Sequence, residues 1–215
     1  MSFQPAQRIQ QLPPYLFAKI DEIKKGEIAK GRKLLSLGIG DPDLPMPEYI
    51  RRTLEEALRD PSTHQYPSYW GMPDFRKAAS EFLQTRFGVS VKPENQVLTL
   101  IGTKEGLAHL PLALINPGDG VLIPDPGYPV YHAATLFAGG TPLHFTLRDK
   151  NHYLPDFDEL ESLVKSHGRV KLLFLNYPNN PTSAVAPSGF FAEVVRFAKK
   201  HNITLCHDNA YSEIY

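Results

Sequence analysis

Four polar segments of this 215-residue sequence could take part in small-ligand chemistry, because each directly follows a predicted β-strand. They are residues 102–106, 124–131, 176–182 and 207–211. In parallel α/β sheets, ligands bind beyond the carboxyl ends of the strands. These four segments are therefore the candidates for a ligand-binding site.

The segment Gly-Thr-Lys-Glu-Gly at 102–106 enters a predicted helix. Glycine allows a tight turn, and the free N–H groups at a helix start carry partial positive charge. With the hydroxyl of Thr103, they could hold a phosphate. The spacing matches neither a P-loop nor a dinucleotide-binding fingerprint. An ordinary turn with a solvated Lys104 would explain the same residues.

Two further segments offer a flat ring and an amide. Tyr128 stands behind a Pro-Gly turn and could present its face to a bound ring. Asn180 lies in a loop rich in asparagine and proline, where its side chain could both donate and accept hydrogen bonds. A core tyrosine and ordinary turn formation remain the alternatives.

The last segment contains a carboxylate at the end of a predicted central strand. Burying Asp208 there is costly unless it is paired, and one suitable partner is a protonated nitrogen on a bound ring. Tyr211 could reach the same ring. A structural aspartate and a core tyrosine are the alternatives. A metal site at His207 and Asp208 is not predicted, because no other ligand pair stands at suitable spacing.

Hydrophobic periodicity predicts the elements that position these segments. Helices are predicted at 15–30, 47–59, 74–87, 103–115, 128–138, 156–166 and 187–201. Strands are predicted at 97–101, 120–123, 142–147, 170–175 and 203–206, and a loop at 41–47. The continuously apolar strands around the helix 187–201 indicate a parallel βαβ unit. We therefore expect a doubly wound, mostly parallel α/β sheet from about residue 46, preceded by an arm and helix.

Single residues refine these boundaries. Asp74 and Asp156 are predicted to cap their helices, Asp156 together with Glu159 in a capping box. Gly88 is predicted to end a helix in the left-handed conformation. Pro111 is predicted to kink or shorten its helix, because it removes one backbone hydrogen bond.

Composition excludes several classes of protein. The chain has 23 basic and 23 acidic residues, which argues against binding nucleic acid or anionic membranes through bulk charge. Cys206 is the single cysteine, so the sequence contains no intramolecular disulfide or multi-cysteine metal site, and we expect a cytoplasmic protein. It contains neither a signal-peptide-like apolar stretch near residue 1 nor a membrane helix of about 18 apolar residues.

Five segments, in order, resemble signatures of the fold-type I pyridoxal-phosphate aminotransferases, the aspartate aminotransferase family. They are LSLGIGDPDLPMP, HQYPSYWGMPDFRKA, NPGDGVLIPDPGYPVY, NYPNNPTSAV and DNAYSEIY. Within this family, PPYLFAKIDEIKKG followed by LGIGDPDLPMP is most similar to the LL-diaminopimelate aminotransferases. The resemblance extends from about residue 12 to 215.

The resemblance implies a role for each matching residue in binding pyridoxal 5'-phosphate. Thr103 and Lys104 would hold the cofactor phosphate, and Tyr128 would stack on the pyridine ring. Tyr66 would reach the phosphate of the neighbouring subunit's cofactor, which implies a homodimer with a shared active site.

The remaining implied roles concern the ring's polar atoms and the substrate. Asn180 and Tyr211 would bond the phenolic oxygen, and Asp208 would pair with the protonated pyridine nitrogen. Gly40 would present a backbone N–H to the substrate carboxylate, and Tyr15 would approach the substrate.

The resemblance also implies a domain division and a missing catalytic group. Residues 1–45 would form the arm and part of the small domain, and residues 46–215 the large cofactor-binding domain. The family's Schiff-base lysine follows the Asp-x-x-Tyr element by some thirty or more residues, and no lysine here stands at that position. We therefore expect residues 1–215 to be the N-terminal portion of a longer enzyme and not to transaminate alone. Ser183 replaces the family's usual glycine, from which we expect a small local change.

The implied activity is transfer of an amino group between an amino acid and a 2-oxo acid. LL-diaminopimelate and 2-oxoglutarate are the expected pair, in lysine biosynthesis. An aspartate- or alanine-type aminotransferase and a non-catalytic remnant of the same fold are the alternatives. A Rossmann-type nucleotide binder ranks last, because the sequence lacks the glycine-rich turn with a following acidic residue.

Overall fold

The computed structural model describes residues 4–38, 40 and 44–214. The chain forms two compact units, residues 13–99 and residues 100–215 together with the first twelve residues. Residues 41–43 of the predicted loop at 41–47 lie outside the described part, and the division at residue 45 stays a prediction. No helix in the described ranges is long and apolar enough to cross a membrane.

The described residues contain short and long helices together with four strands. The helices are α1 Gln7–Gln10, α2 Leu16–Ala29, α3 Glu48–Ala57, α4 Pro73–Phe87, α5 Thr103–Leu114, α6 Pro129–Phe137, α7 Phe157–His167 and α8 Phe190–His201, with 3-10 turns at Pro61–His64 and Asp149–Asn151. The strands are β1 Gly120–Asp125, β2 Thr141–Thr146, β3 Val170–Asn176 and β4 Thr204–Asp208. Seven predicted helices and four predicted strands are thereby confirmed, with small shifts at their ends.

The four strands form one parallel sheet in the order β2-β1-β3-β4. Leu122 on β1 lies beside Leu143 on β2 and Leu173 on β3. At the carboxyl edge, Asn176 on β3 lies directly beside Asp208 on β4. The crossover order confirms the predicted α/β fold and places two polar side chains together at one edge.

Alternate residues of the central strands enter two apolar layers, one on each face of the sheet. Helices α7 and α8 cover one face, and helices α5 and α6 cover the other. The first layer includes Leu122, Leu160, Leu173, Leu175, Val194 and Phe197. The second includes Leu107, Val121, Ile123, Tyr131, Leu172 and Phe174. Full burial of such a side chain contributes about 1.5–3 kcal/mol, so these layers hold the strand ends in place.

The strand predicted at 97–101 is wrong. These residues form no regular ladder, and the Thr99 N–H donates a 3.4 Å bond to the Trp70 carbonyl. Apolar β-formers favour an extended chain, but a strand also needs a neighbouring edge to pair with. None of the four described strands pairs with this segment.

Two predictions that rested on proline need correction. The turn expected at 124–127 begins later, because Pro124 and Asp125 continue β1 beside β2. Of the two effects predicted for Pro111, shortening is wrong, because helix α5 continues to Leu114 and the Ile115 N–H bonds the Pro111 carbonyl at 2.8 Å. A kink at Pro111 stays a prediction. Only one hydrogen bond is lost so close to the helix end, and burial of the proline ring compensates.

The predicted helix caps are confirmed in two of three cases. Gly88 ends α4 with φ +68°, and Asp156 accepts bonds from the N–H groups of Asp158 and Glu159. Asp74 does not cap α4, because Pro73 takes the first helical position and the helix begins before Asp74. The Glu159 carboxylate leaves its expected capping-box role and accepts from Thr146 N–H and Arg148.

A charged cluster joins α7 to α8. Glu161 on α7 accepts hydrogen bonds from Lys200 and His201 on α8, the latter at 2.8 Å. The bond from Lys200, followed by that from His201, lowers the pKa of Glu161 from 4.5 to about 2.

We expect Glu161→Gln to change how folding stability depends on pH. A lowered folded-state pKa adds stability that is fully present above about pH 4.5 and is lost as the pH falls towards 2. The stability difference between wild type and variant should therefore shrink over that interval in urea titrations. About 1 M salt should also shrink it, because the pair is at the surface. A pH-independent difference would contradict the proposed linkage.

Candidate active site

A cavity of about 140 Å³ opens at the carboxyl edge of the sheet. It is lined by Thr103, Lys104, Leu107, Tyr128, Asn176, Asn180, Asp208, Ala210 and Tyr211. Six of the nine binding residues predicted from the sequence are in this lining. The four polar segments singled out by their positions after predicted strands thus converge on one cavity.

The start of α5 forms one wall of the cavity. Gly102 precedes the helix with φ +80°, a conformation that glycine adopts without steric cost, and no side chain caps the helix. Thr103 is therefore the first residue of a helix whose initial N–H groups have no side-chain acceptor. Such N–H groups, with their partial positive charge, can bind an anion such as a phosphate.

At this wall, the Lys104 ammonium group lies over the ring of Tyr128. The Lys104 Nζ is 5.6 Å from the centroid of the Tyr128 ring, within the range of a cation–π contact. The Tyr128 ring in turn meets the Tyr131 ring edge-on, with a centroid separation of 5.9 Å and an interplanar angle of 80°. The orientation of the Tyr128 ring is thereby fixed from two sides.

Asp208 places a buried carboxylate in the lining of the cavity. Its side chain is only 6% exposed. The Oδ2 atom accepts a 2.8 Å hydrogen bond from the Tyr131 hydroxyl. The Oδ1 atom is buried and has no hydrogen-bond partner among the described residues. A buried carboxylate oxygen without a donor costs about 1–3 kcal/mol or more, so the geometry calls for a donor from a ligand.

Asn176 connects the loop 176–182 to the end of β4. Its Nδ2 donates to the Asp208 carbonyl at 2.8 Å, and its Oδ1 accepts from the Asn180 N–H at 2.6 Å. The Asn180 Nδ2 lies 3.2 Å from the Tyr211 hydroxyl, to which it donates. An amide and a phenol side by side can address the same oxygen atom of a ligand.

Ser183 adopts the left-handed conformation with φ +61°. This is the conformation that glycine adopts without strain, and the surrounding loop imposes it on serine; the expected small local change stays a prediction. The Ser183 N–H donates to the Asn179 carbonyl at 2.8 Å, while the Asn179 side chain accepts from both N–H and hydroxyl of Thr182. These bonds outweigh a left-handed penalty of about 1–2 kcal/mol.

The ionisable neighbours of Asp208 are poorly suited to nucleophilic catalysis. Burial, followed by the charge of Asp208, raises the pKa of Cys206 to about 11, so its thiol stays protonated near neutrality. Burial lowers the pKa of His207, although its contact with the Tyr177 carbonyl and the charge of Asp208 act in the opposite direction.

The cavity residues fit the cofactor that the resemblance implies. A protonated pyridine nitrogen would supply the missing donor to Asp208 Oδ1, which is the buried acceptor that has none. The uncapped start of α5 suits a phosphate, and the Asn180 and Tyr211 pair suits a phenolic oxygen. The phosphate, the phenolic oxygen and the ring nitrogen of pyridoxal phosphate would therefore each meet a chemically matched group in this lining.

Three predicted site residues belong to the other unit. Tyr15, Gly40 and Tyr66 lie within residues 13–99, and all three are exposed there. Their proposed contacts with substrate and with a neighbouring subunit stay predictions.

Sequence reasoning missed two residues that hold the site together, Tyr131 and Asn176. Tyr131 follows Tyr128 by three residues, a spacing that places two side chains on one helical face. Asn176 is the first polar residue after the apolar run of β3, opposite Asp208 in the parallel register. Either signal could have marked these residues, but only the register shows what they contact.

Comparisons with known proteins agree with this geometry. The profile of the family described as aminotransferase class I and II matches residues 32–215. A curated LL-diaminopimelate aminotransferase from Syntrophobacter fumaroxidans is 52% identical over 214 residues, which cover 100% of this chain and 55% of that protein. One from Desulforudis audaxviator is 50% identical, with 100% and 54% covered.

Solved structures are similar over the same extent. A substrate-bound structure of BacF from Bacillus subtilis matches with a TM-score of 0.88 and 39% identity, covering 97% of this chain and 52% of that one. An aspartate aminotransferase mutant from Thermus thermophilus matches with a TM-score of 0.89 and 28% identity, covering 98% and 54%. The chain spans about half the length of these relatives.

Replacing Asn176 should destabilise the protein, because its side chain bonds two backbone groups at the edge of the cavity. Asn176→Ala leaves the Asp208 carbonyl and the Asn180 N–H without partners, so we expect the free energy of unfolding to fall by about 2–4 kcal/mol. Thr182→Val removes a partly buried hydroxyl that donates to Asn179 Oδ1 and accepts a longer bond from the Ala184 N–H, and should cost about 1 kcal/mol. Urea denaturation measures both, and equal losses would contradict the bracing role of Asn176.

Proposed function

The chain belongs to the class I and II aminotransferase family, and from this premise we propose that it forms the cofactor-binding part of a pyridoxal-phosphate-dependent aminotransferase. The observation that carries the proposal is the buried Oδ1 of Asp208, an acceptor without a donor at the edge of a matched cavity. The activity would transfer an amino group from an amino acid to a 2-oxo acid.

Pyridoxal phosphate, when bound, supplies an electron sink for the carbanion formed at the substrate's α-carbon. The carboxylate of Asp208 favours the protonated form of the ring nitrogen, because opposite charges attract strongly where water is excluded. This pairing is the main electrostatic contribution that these residues would make to catalysis.

The other lining residues would orient the cofactor. The first N–H groups of α5, with Thr103 and Lys104, would bind the phosphate dianion. Tyr128 would stack on one face of the ring. Asn180 and Tyr211 would hold the phenolic oxygen with the Asn180 Nδ2 and the Tyr211 hydroxyl, which lie 3.2 Å apart. Fixing both ends of the ring limits its movement during proton transfer at the substrate.

We propose LL-diaminopimelate and 2-oxoglutarate as the substrate pair, in lysine biosynthesis. Support comes from curated relatives named LL-diaminopimelate aminotransferase at 48–52% identity across this chain. An aspartate- or alanine-type activity is the second candidate, supported by solved aminotransferases of those names at 28% identity. The higher identity favours the first pair.

The proposal includes features of the whole protein. Tyr15 and Gly40 would contact the substrate, and Tyr66 would reach the phosphate in a partner subunit, which requires a homodimer. The small domain would include residues 1–45, and the enzyme would act in the cytoplasm.

Asp208→Asn should sharply reduce activity of the full-length natural protein. A neutral amide cannot pair with a protonated ring nitrogen, and losing a buried charge pair worth about 3 kcal/mol corresponds to about a hundredfold in rate. We expect kcat/KM to fall by at least that factor, measured with cofactor occupancy checked by absorbance. Cys206→Ala on the same strand serves as the control and should retain activity. An Asp208→Asn variant as active as the control would contradict the proposal.

Turnover of four amino donors distinguishes the substrate candidates. With 2-oxoglutarate as the acceptor, LL-diaminopimelate should give the highest kcat/KM among diaminopimelate, aspartate, glutamate and alanine. Activity with aspartate but none with diaminopimelate would replace the first candidate by the second. Failure to bind pyridoxal phosphate would overturn both.

A further inference from the structure

We propose that Tyr131 is a positioning residue that aims the Asp208 carboxylate at the cofactor's ring nitrogen and thereby keeps that nitrogen protonated. This inference rests on the proposed function and deepens it. It concerns a side chain that lies behind the carboxylate and is not among the residues that line the cavity.

The hydrogen bond from Tyr131 makes the two carboxylate oxygens of Asp208 different from each other. The Tyr131 hydroxyl donates to Oδ2 at 2.8 Å, and Oδ1 is left buried without a donor. The Asn176 side chain holds the Asp208 carbonyl at 2.8 Å, so the backbone of Asp208 is also held. One carboxylate oxygen is thereby occupied from behind, and the other is available to a ligand.

The donor cannot easily move away. Tyr131 is 0% exposed, and its ring stacks on Phe174 of β3 with a centroid separation of 4.7 Å and an interplanar angle of 15°. The ring of Tyr128 packs edge-on against it. Because Phe174 belongs to a central strand and Tyr131 to α6, the phenol is held between a strand and a helix.

The phenol also stays protonated. Burial, followed by the negative charge of Asp208 and the hydrogen bond to it, raises the pKa of Tyr131 far above its usual value of 10. The hydroxyl therefore remains a donor throughout the pH range in which proteins fold. The carboxylate in turn faces a permanent donor and not a second anion.

This donor determines which carboxylate oxygen faces a ligand. With Oδ2 held from behind by Tyr131, Oδ1 is the oxygen that meets the ring nitrogen. A carboxylate aimed at that nitrogen favours its protonated form, because opposite charges attract strongly where water is excluded. Without the Tyr131 hydroxyl the carboxylate can turn, and this pairing weakens. A hydrogen bond to a charged group shifts such a protonation equilibrium by about ten- to a hundredfold.

The test measures where the proton lies, independently of turnover. The full-length protein is reconstituted with ¹⁵N-labelled pyridoxal phosphate, and the ¹⁵N chemical shift of the ring nitrogen is recorded for wild type and Tyr131→Phe. Asp208→Asn supplies the reference shift for a ring without its carboxylate. We expect a protonated nitrogen in wild type and a shift towards the Asp208→Asn value in Tyr131→Phe.

Tyr177→Phe is the matched control. This variant also removes the hydroxyl of a buried tyrosine. In the wild type, the Tyr177 hydroxyl donates to the Tyr153 carbonyl at 2.8 Å and not to Asp208. The control should lose comparable stability and keep the wild-type ¹⁵N shift. A change as large as that in Tyr131→Phe would overturn the inference, since it would reflect general loosening of the core.

The possible failures are distinguishable. If wild type binds labelled cofactor with a protonated nitrogen and Tyr131→Phe shows the same shift, the inference is overturned and the proposed function stands. If wild type binds no cofactor, the proposed function fails and the inference falls with it. If Tyr131→Phe does not fold, Phe174→Leu keeps the hydroxyl but loosens its support. Phe174→Leu must then move the ¹⁵N shift towards the Asp208→Asn value. A wild-type ¹⁵N shift in Phe174→Leu overturns the inference.

Discussion

A buried carboxylate with only one of its two oxygens satisfied is the constraint on which this site depends. Asp208 lies at the end of β4 with 6% of its surface exposed, bonded through Oδ2 and lacking a partner at Oδ1. Such a group is unfavourable in an empty fold, because removing charge from water is costly unless the charge is paired. Its presence makes chemical sense where a positively charged ligand completes the pair.

The parallel sheet brings the partners of this carboxylate together. Segments more than a hundred residues apart in sequence, from Thr103 to Asp208, meet at one edge because the strands share a direction and their carboxyl ends align. The apolar layers on both faces hold that edge, and Asn176 ties the loop after β3 to β4. The site is thus a consequence of strand order: β1, β3 and β4 contribute residues at or just beyond their ends, and the start of α5 contributes the rest.

Much of this arrangement could be predicted from the sequence, since long apolar periodic segments identify elements well. Tyr128, Asn180, Asp208 and Tyr211 were found because polar segments after apolar strands lie at one sheet edge, whereas Thr103 and Lys104 were found from the glycine turn at a helix start. The strand at 97–101 failed because pairing depends on a neighbour that local sequence does not specify. Tyr131 and Asn176 were missed because their importance depends on contacts made in three dimensions. The left-handed Ser183 shows the same limit, since loop hydrogen bonds override a local preference.

The most direct measurement is an experimental structure of the full-length protein with pyridoxal phosphate bound. The account predicts that Asp208 Oδ1 lies about 2.7–2.9 Å from the ring nitrogen, the distance of a charge-assisted hydrogen bond, while Oδ2 keeps its bond to Tyr131. A ring bound elsewhere, or a nitrogen facing any group other than Asp208, would contradict it.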